Sequence, residues 1–125
     1  IRDFRYAPDA LRFWGGTPHV APFVAAKAGI DIVLSIGVNL IRAHNRALQI
    51  AFRAALEGQR TSWVWPEGEI GGTLCIVVGD DRACIEERCA EQGVRADFRG
   101  PVLRLSFAAW NDIIEVEKVA ALLAA

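Results

Sequence analysis

The fold is decided by the stretch between residues 94 and 107, which reads Val94-Arg95-Ala96-Asp97-Phe98-Arg99-Gly100-Pro101-Val102-Leu103-Arg104-Leu105-Ser106-Phe107. Its first six residues alternate apolar and polar side chains, as a half-buried strand does. Gly100-Pro101 is a turn signal, and the residues after it alternate less strictly. This pattern predicts an antiparallel hairpin, in which Leu103 and Leu105 share one face and Arg104 lies on the opposite one.

The rest of the chain adds helices and two further strands to this hairpin. A β-rich segment at 61–65 and the apolar run 73–78, which is bounded by glycines and aspartates, predict strands. Apolar spacings of three and four residues predict helices over 18–36, 38–57, 81–92 and from Asn111 to the end. We therefore predict an α+β fold, a small antiparallel or mixed sheet of three to four strands with helices packed on one face.

The second helix is predicted to be amphipathic. Leu48 and Phe52 lie on its apolar stripe, whereas Gln49 and the row of Arg42, Arg46 and Arg53 lie on the face expected to be wet. The arginine row could bind nucleic acid, but a solvated helix face is the commoner explanation. His44 is expected to be a structural histidine, since no second ligand is spaced to help it hold a metal.

Composition bounds the class of protein. The chain has 125 residues and a net charge of −1, which predicts one domain and no global nucleic-acid footprint. The sequence has no run of 18 apolar residues, so it predicts no membrane-spanning helix. The cysteines Cys75, Cys84 and Cys89 have no metal-ligand spacing, so we expect free thiols in a reducing, cytoplasmic compartment and no metal site.

The sequence contains no methionine. Together with the apolar excess, this leads us to expect a fragment of a longer protein. Residues 1–11 would then be a lead-in from a missing upstream domain, and residues 12–125 a C-terminal small domain.

A second stretch of the sequence suggests a ligand site. It reads Arg12-Phe13-Trp14-Gly15-Gly16-Thr17-Pro18-His19. Thr17 is a good N-cap and Pro18 a good first helical residue. A glycine-rich loop that leads into a helix N-terminus can bind a phosphate or a carboxylate. The plainer interpretation is a turn and a helix cap without a ligand.

Arg104 has two interpretations as well. Its side chain could simply point to water from a sheet face, or its guanidinium could bind a carboxylate through two hydrogen bonds. The residues alone do not separate the two.

These two stretches, and the closing Trp110-Asn111-Asp112 before a helix, resemble one family. They are similar to the small domain of class V aminotransferase-like enzymes, which use pyridoxal phosphate, and the 93–107 stretch resembles the kynureninase branch most closely. The likeness runs from about residue 10 to the end of the chain.

The resemblance implies roles for individual residues. Gly16 and Thr17 would contact the cofactor phosphate, commonly that of the neighbouring subunit in a homodimer. Arg104 would bind the α-carboxylate of an amino-acid substrate, and Trp14 and His19, with Phe13, would line the substrate pocket. The parent enzyme would hydrolyse a Cβ–Cγ bond in a kynurenine-type amino acid.

Pyridoxal-phosphate chemistry also needs a lysine, and the chain offers only Lys27 and Lys118, both within predicted helices. The resemblance therefore implies that the lysine belongs to a missing N-terminal large domain and that this chain alone is inactive. The alternatives within the superfamily are an aminotransferase, an epimerase or a cysteine lyase or desulfurase. We disfavour a desulfurase because no cysteine lies in an obvious mobile loop. A non-catalytic α+β dimerisation or binding module is the alternative from another class.

Overall fold

The computed structural model describes residues 5–17, 19–59, 62–64 and 71–124. The chain divides into two compact units, Ile1–Ile36 and Gly37–Ala125. The first contains one long helix, and the second contains a sheet with three helices.

In the first unit, residues 10–13 form a turn of 3₁₀ helix, which begins within the predicted lead-in of residues 1–11. Asp9 caps this turn, because its Oδ1 accepts a hydrogen bond of 2.9 Å from the backbone nitrogen of Leu11. Helix α1 follows at Val20–Ile36, and none of its residues is buried.

In the second unit, the helices and strands follow the predicted order. The helices are α2 (Val38–Ala55), α3 (Arg82–Glu91) and α4 (Ile113–Ala124). The strands are β1 (Ser62–Trp63), β2 (Thr73–Val77), β3 (Asp97–Arg99) and β4 (Val102–Ser106).

The strands form one four-stranded antiparallel sheet in the order β1-β2-β4-β3. The predicted hairpin is present, with Arg99 opposite Val102 and Asp97 opposite Arg104. Gly100 has a φ of +58°, which suits glycine at this turn. The α+β prediction is confirmed.

The core lies between one sheet face and helices α2, α3 and α4. Leu74, Ile76, Leu103 and Leu105 alternate along β2 and β4 to face it, and Phe52 of α2 fills its centre with 0% of its surface exposed. Phe52 packs edge-on against the rings of Trp63 and Phe107, with centroids 6.1 and 5.5 Å away. Helices therefore cover one face of the sheet, as predicted.

One polar residue contradicts the predicted wet face of α2. Gln49 is only 1% exposed, and its Nε2 donates a hydrogen bond of 3.0 Å to the carbonyl oxygen of Gly71. It lies one turn from both Asn45 and Phe52, so the helix carries it into the core. Asn45 is buried as well and donates to the carbonyl oxygen of Phe107.

Among the described residues, no single helix has the length and apolar composition to cross a membrane. Helices α1 and α2 meet that test only when they are counted together across the break at Gly37.

Candidate functional site

The sheet face that carries no helix is the candidate site. Its positions follow from strand alternation, because the residues between the core-facing ones point the other way. None of these side chains is fully buried. They are Thr73, Cys75 and Val77 on β2, Val102, Arg104 and Ser106 on β4, and Asp97 and Arg99 on β3.

Arg104 lies at the centre of this open face. Its backbone neighbours Leu103 and Leu105 are buried in the core, with 0% and 5% of their surfaces exposed. They fix the position of Arg104 on the strand, while its own side chain is 42% exposed. The predicted placement of Arg104 opposite to the two leucines is therefore confirmed.

Asp97 holds the guanidinium of Arg104. Nη1 of Arg104 donates to Oδ2 of Asp97 over 2.9 Å, and the two residues are direct cross-strand partners. The same Oδ2 accepts a hydrogen bond of 3.2 Å from Nε of Arg99. Two guanidinium groups thus share one carboxylate, and the cluster keeps a net positive charge that suits an anion.

This cluster was not predicted from the sequence, although the hairpin contains the signal for it. A two-residue turn at Gly100-Pro101 pairs residue 99 with residue 102. Moving two residues away from the turn on each strand, from 99 to 97 and from 102 to 104, brings Asp97 opposite Arg104, so both lie on the same face.

Two other pairs complete the open face. Cys75 lies directly opposite Arg104 on the other side of β4. Thr73 and Ser106 are cross-strand partners whose hydroxyl oxygens are 2.8 Å apart. The face therefore presents a carboxylate, guanidinium groups, a thiol and hydroxyls on adjacent strands.

The Trp110-Asn111-Asp112 element lies beside a cleft of about 420 Å³ between the end of β4, residues 93–95 and α4. Asn111 orders this turn, since its Oδ1 accepts from the backbone nitrogen of Ala108 (2.7 Å) and its Nδ2 donates to Glu115 (2.9 Å). Asp112 and Glu115 form a reciprocal capping box at the start of α4. Trp110 is 85% exposed at the rim.

His44 and two of the α2 arginines are engaged within the second unit. Nε2 of His44 lies 2.9 Å from the carbonyl oxygen of Asn111, as expected for a structural histidine. Arg46 donates to Gln49 over 2.9 Å, and the guanidinium of Arg53 lies 5.7 Å from the centre of the Trp63 ring.

The predicted phosphate loop belongs to the first unit, whereas Arg104 belongs to the second. Gly16 has a φ of +131°, a conformation that favours glycine, and Thr17 is exposed. The predicted N-cap is wrong, because α1 begins at Val20 and Thr17 lies three residues before it. Pro18 is outside the described residues.

The aromatic residues predicted to line a pocket are exposed in this unit. Trp14 stacks on Phe23 of α1 with ring centroids 5.7 Å apart, and Phe13 is 82% exposed. His19 is exposed just before α1. Of these residues, Trp14 packs against α1 through its contact with Phe23.

The described residues do not form a complete site for pyridoxal phosphate. Lys27 pairs with Asp31 over 2.6 Å on exposed α1, and Lys118 donates to the carbonyl oxygen of Gln92 over 2.7 Å. A Cβ atom built on Gly15 or Gly16 would have no described atom within 4 Å, apart from those of the adjacent residues. The described residues therefore do not enclose this loop as they would enclose a bound phosphate. The described residues therefore supply neither a free lysine nor an enclosing loop for the cofactor.

The three cysteines differ in access. Cys84 is exposed on α3, Cys75 is half-buried on β2 and Cys89 is buried. Burial raises the pKa of the Cys89 thiol, an effect that Arg88 partly opposes. In the part of the chain that the structure describes, no three His, Cys, Asp or Glu side chains converge to hold a metal ion.

Comparison with known proteins gives one informative similarity. The chain is 37% identical over 78 residues to a probable cysteine desulfurase of Streptomyces coelicolor. The aligned region is 60% of this chain and 19% of that protein. The chain therefore matches about a fifth of the length of this relative. No protein-family model matches it.

This similarity agrees with the resemblance to class V aminotransferase-like enzymes at the level of the superfamily, to which cysteine desulfurases belong. The similarity does not support the kynureninase branch. It favours a cysteine desulfurase, the alternative that we disfavoured because no cysteine lies in an obvious mobile loop.

Proposed function

We propose that this chain is the C-terminal, substrate-binding domain of a pyridoxal-phosphate enzyme of the cysteine desulfurase type. The observation that carries the proposal is the 37% identity to a probable cysteine desulfurase. In this proposal a larger domain supplies the cofactor and its lysine, because neither Lys27 nor Lys118 is placed to do so.

Arg104 would hold the α-carboxylate of the amino-acid substrate. A guanidinium can bind a carboxylate through two parallel hydrogen bonds, which fixes both the position and the orientation of the ligand. The net positive charge of the Arg99–Asp97–Arg104 cluster on an open sheet face supports this role. Binding of the carboxylate by Arg104 would orient the reacting Cβ of the substrate, although Arg104 itself would take no part in the chemistry.

The homodimer and the phosphate contact remain part of the proposal. Gly16 and Thr17 would contribute backbone and hydroxyl groups to a phosphate that other residues enclose. The open surroundings of this loop are consistent with a site completed by a second subunit or domain.

A kynureninase-type hydrolase is the second candidate. It is supported by the Asp97-Phe98-Arg99 pattern followed by Arg104 across the turn, which resembles that branch. Removal of sulfur from cysteine and hydrolysis of the Cβ–Cγ bond of kynurenine both leave L-alanine. The α-carboxylate site would therefore serve either substrate.

The test uses the complete product of the gene that encodes this chain, beside the chain alone, each with added pyridoxal phosphate. We expect a visible cofactor band, bleached by borohydride, in the complete protein but not in the chain. With dithiothreitol present to reduce the removed sulfur to sulfide, we also expect release of L-alanine from L-cysteine. Release from L-kynurenine instead would select the second candidate. No cofactor band in either protein would overturn both and leave the non-catalytic binding module.

Arg104→Ala in the complete protein should reduce kcat/KM by the equivalent of about 2–4 kcal/mol, because a charge-assisted, two-point contact is lost. Steady-state kinetics would measure this. An unchanged kcat/KM would remove Arg104 from carboxylate binding.

A further inference from the structure

The contact between Asp97 and Arg104 is restricted to one edge of the guanidinium. Asp97 accepts from Nη1 of Arg104, and no other residue in the described part of the chain accepts a hydrogen bond from its Nε or Nη2. Nε and Nη2 form the side edge of the guanidinium, where two N–H groups point in parallel. A carboxylate can therefore bind this edge while Asp97 stays in place.

We propose that Asp97 is a positioning residue for substrate binding, which holds Nη1 of Arg104 so that the Nε and Nη2 edge meets the α-carboxylate. This inference rests on the proposed function of Arg104. The backbone of Arg104 is fixed by the buried Leu103 and Leu105, but its long side chain has several rotatable bonds. Asp97 removes part of that freedom before the substrate arrives.

Arg99 makes this arrangement compatible with an anionic ligand. Asp97 alone would repel a second carboxylate, whereas Nε of Arg99 offsets its charge from 3.2 Å away. The cluster thus orients Arg104 and keeps a net positive charge.

Stability gives little reason for this ion pair. The side chains of Arg104 and Asp97 are 42% and 47% exposed, and pairs with such exposure contribute little to folding. The contact is better explained by orientation of the guanidinium than by support of the hairpin.

The experiment measures binding of L-alanine and of ethylamine, which lacks the carboxylate, to the complete cofactor-loaded protein by isothermal titration calorimetry. Asp97→Asn should weaken L-alanine binding about two- to fivefold and leave ethylamine binding unchanged. Arg104→Gln should abolish the preference for L-alanine over ethylamine.

A matched control is Glu86→Gln, which removes the same charge from another half-exposed arginine pair, that with Arg82 on α3. It should change neither binding constant. Thermal unfolding of each variant should show that the domain stays folded.

The outcomes separate the two claims. If Arg104→Gln leaves the preference for L-alanine intact, the carboxylate role in the proposed function is wrong. If Arg104→Gln abolishes it but Asp97→Asn has no effect, only the positioning role is wrong. Tighter L-alanine binding in Asp97→Asn would make Asp97 a competitor, and equal weakening of both ligands would make it merely structural. Either result overturns the inference.

Discussion

Helices α1 and α2 have almost the same length, 17 and 18 residues, but they differ in the burial of their side chains. Every residue of α1 is exposed, including Phe23 at 57% and Leu34 at 68%. In α2, Leu48 and Phe52 are buried at 5% and 0%. The more apolar helix is thus the one left in water.

The difference lies in the arrangement of the apolar residues. The buried apolar residues of α2, Leu48 and Phe52, lie on one stripe that the sheet and α4 cover, whereas the apolar residues of α1 are spread around the helix. A stripe is satisfied by one neighbouring layer, but a helix that is apolar on all sides needs neighbours all round. Periodicity, more than apolar content, determines what this chain buries for itself.

The sharpest way to break this comparison is the same substitution in both helices. Phe52→Ala should lower the free energy of unfolding by about 3–5 kcal/mol, because it leaves a cavity between Trp63 and Phe107. Phe23→Ala should change it by less than about 0.5 kcal/mol. Urea titrations of the two variants would measure this. Similar losses in both would mean that α1 contributes to the core.

The next prediction concerns association. The exposed apolar surface of α1 should make the chain self-associate as its concentration rises. Val24→Lys combined with Leu34→Lys should shift it towards the monomer in sedimentation velocity. The control is Ile50→Lys, at a residue of α2 that is 60% exposed, and it should leave association unchanged. A chain that is monomeric at high concentration would contradict the prediction.

The smallest effect concerns pH. Since burial raises the pKa of Cys89, the unfolded chain releases this proton at a lower pH than the folded one. Stability should therefore fall as pH rises above the ordinary thiol pKa of about 8.5, by no more than about 1.4 kcal/mol per pH unit.

The measurement is the free energy of unfolding between pH 8 and 10, set relative to its value at pH 7 for each variant. Cys89→Ala should lose the alkaline decrease, whereas Cys84→Ala should keep it, because Cys84 is exposed. A decrease that survives in Cys89→Ala would assign it to another group.

Much of the fold could be predicted because local chemistry and tertiary structure agree. Gly100 has a positive φ at the predicted turn, and Gly37 and Gly93, which directly follow the predicted helices 18–36 and 81–92, have positive φ as well. Strand alternation likewise predicted the face of Arg104. These features depend on residues close together in the chain.

One error comes from a contact between distant residues. Gln49 is polar, so the pattern placed it in water, but Gly71, 22 residues away, accepts its hydrogen bond. A second error is local: Asp80 and Asp81 suit a helix N-cap by residue type, but α3 starts without a side-chain cap. A 3₁₀ turn at residues 79–81 leads directly into this helix, which takes the place of the cap.

The register of β2 against β4 has a practical consequence. It places the half-buried thiol of Cys75 directly opposite Arg104, a cross-strand spacing of about 5 Å between Cβ atoms. The chain thus carries a natural attachment point for a fluorophore or a nitroxide beside its candidate carboxylate site. With Cys84 replaced by alanine, a label on Cys75 would report ligand arrival at Arg104 directly, whatever the chemistry that follows.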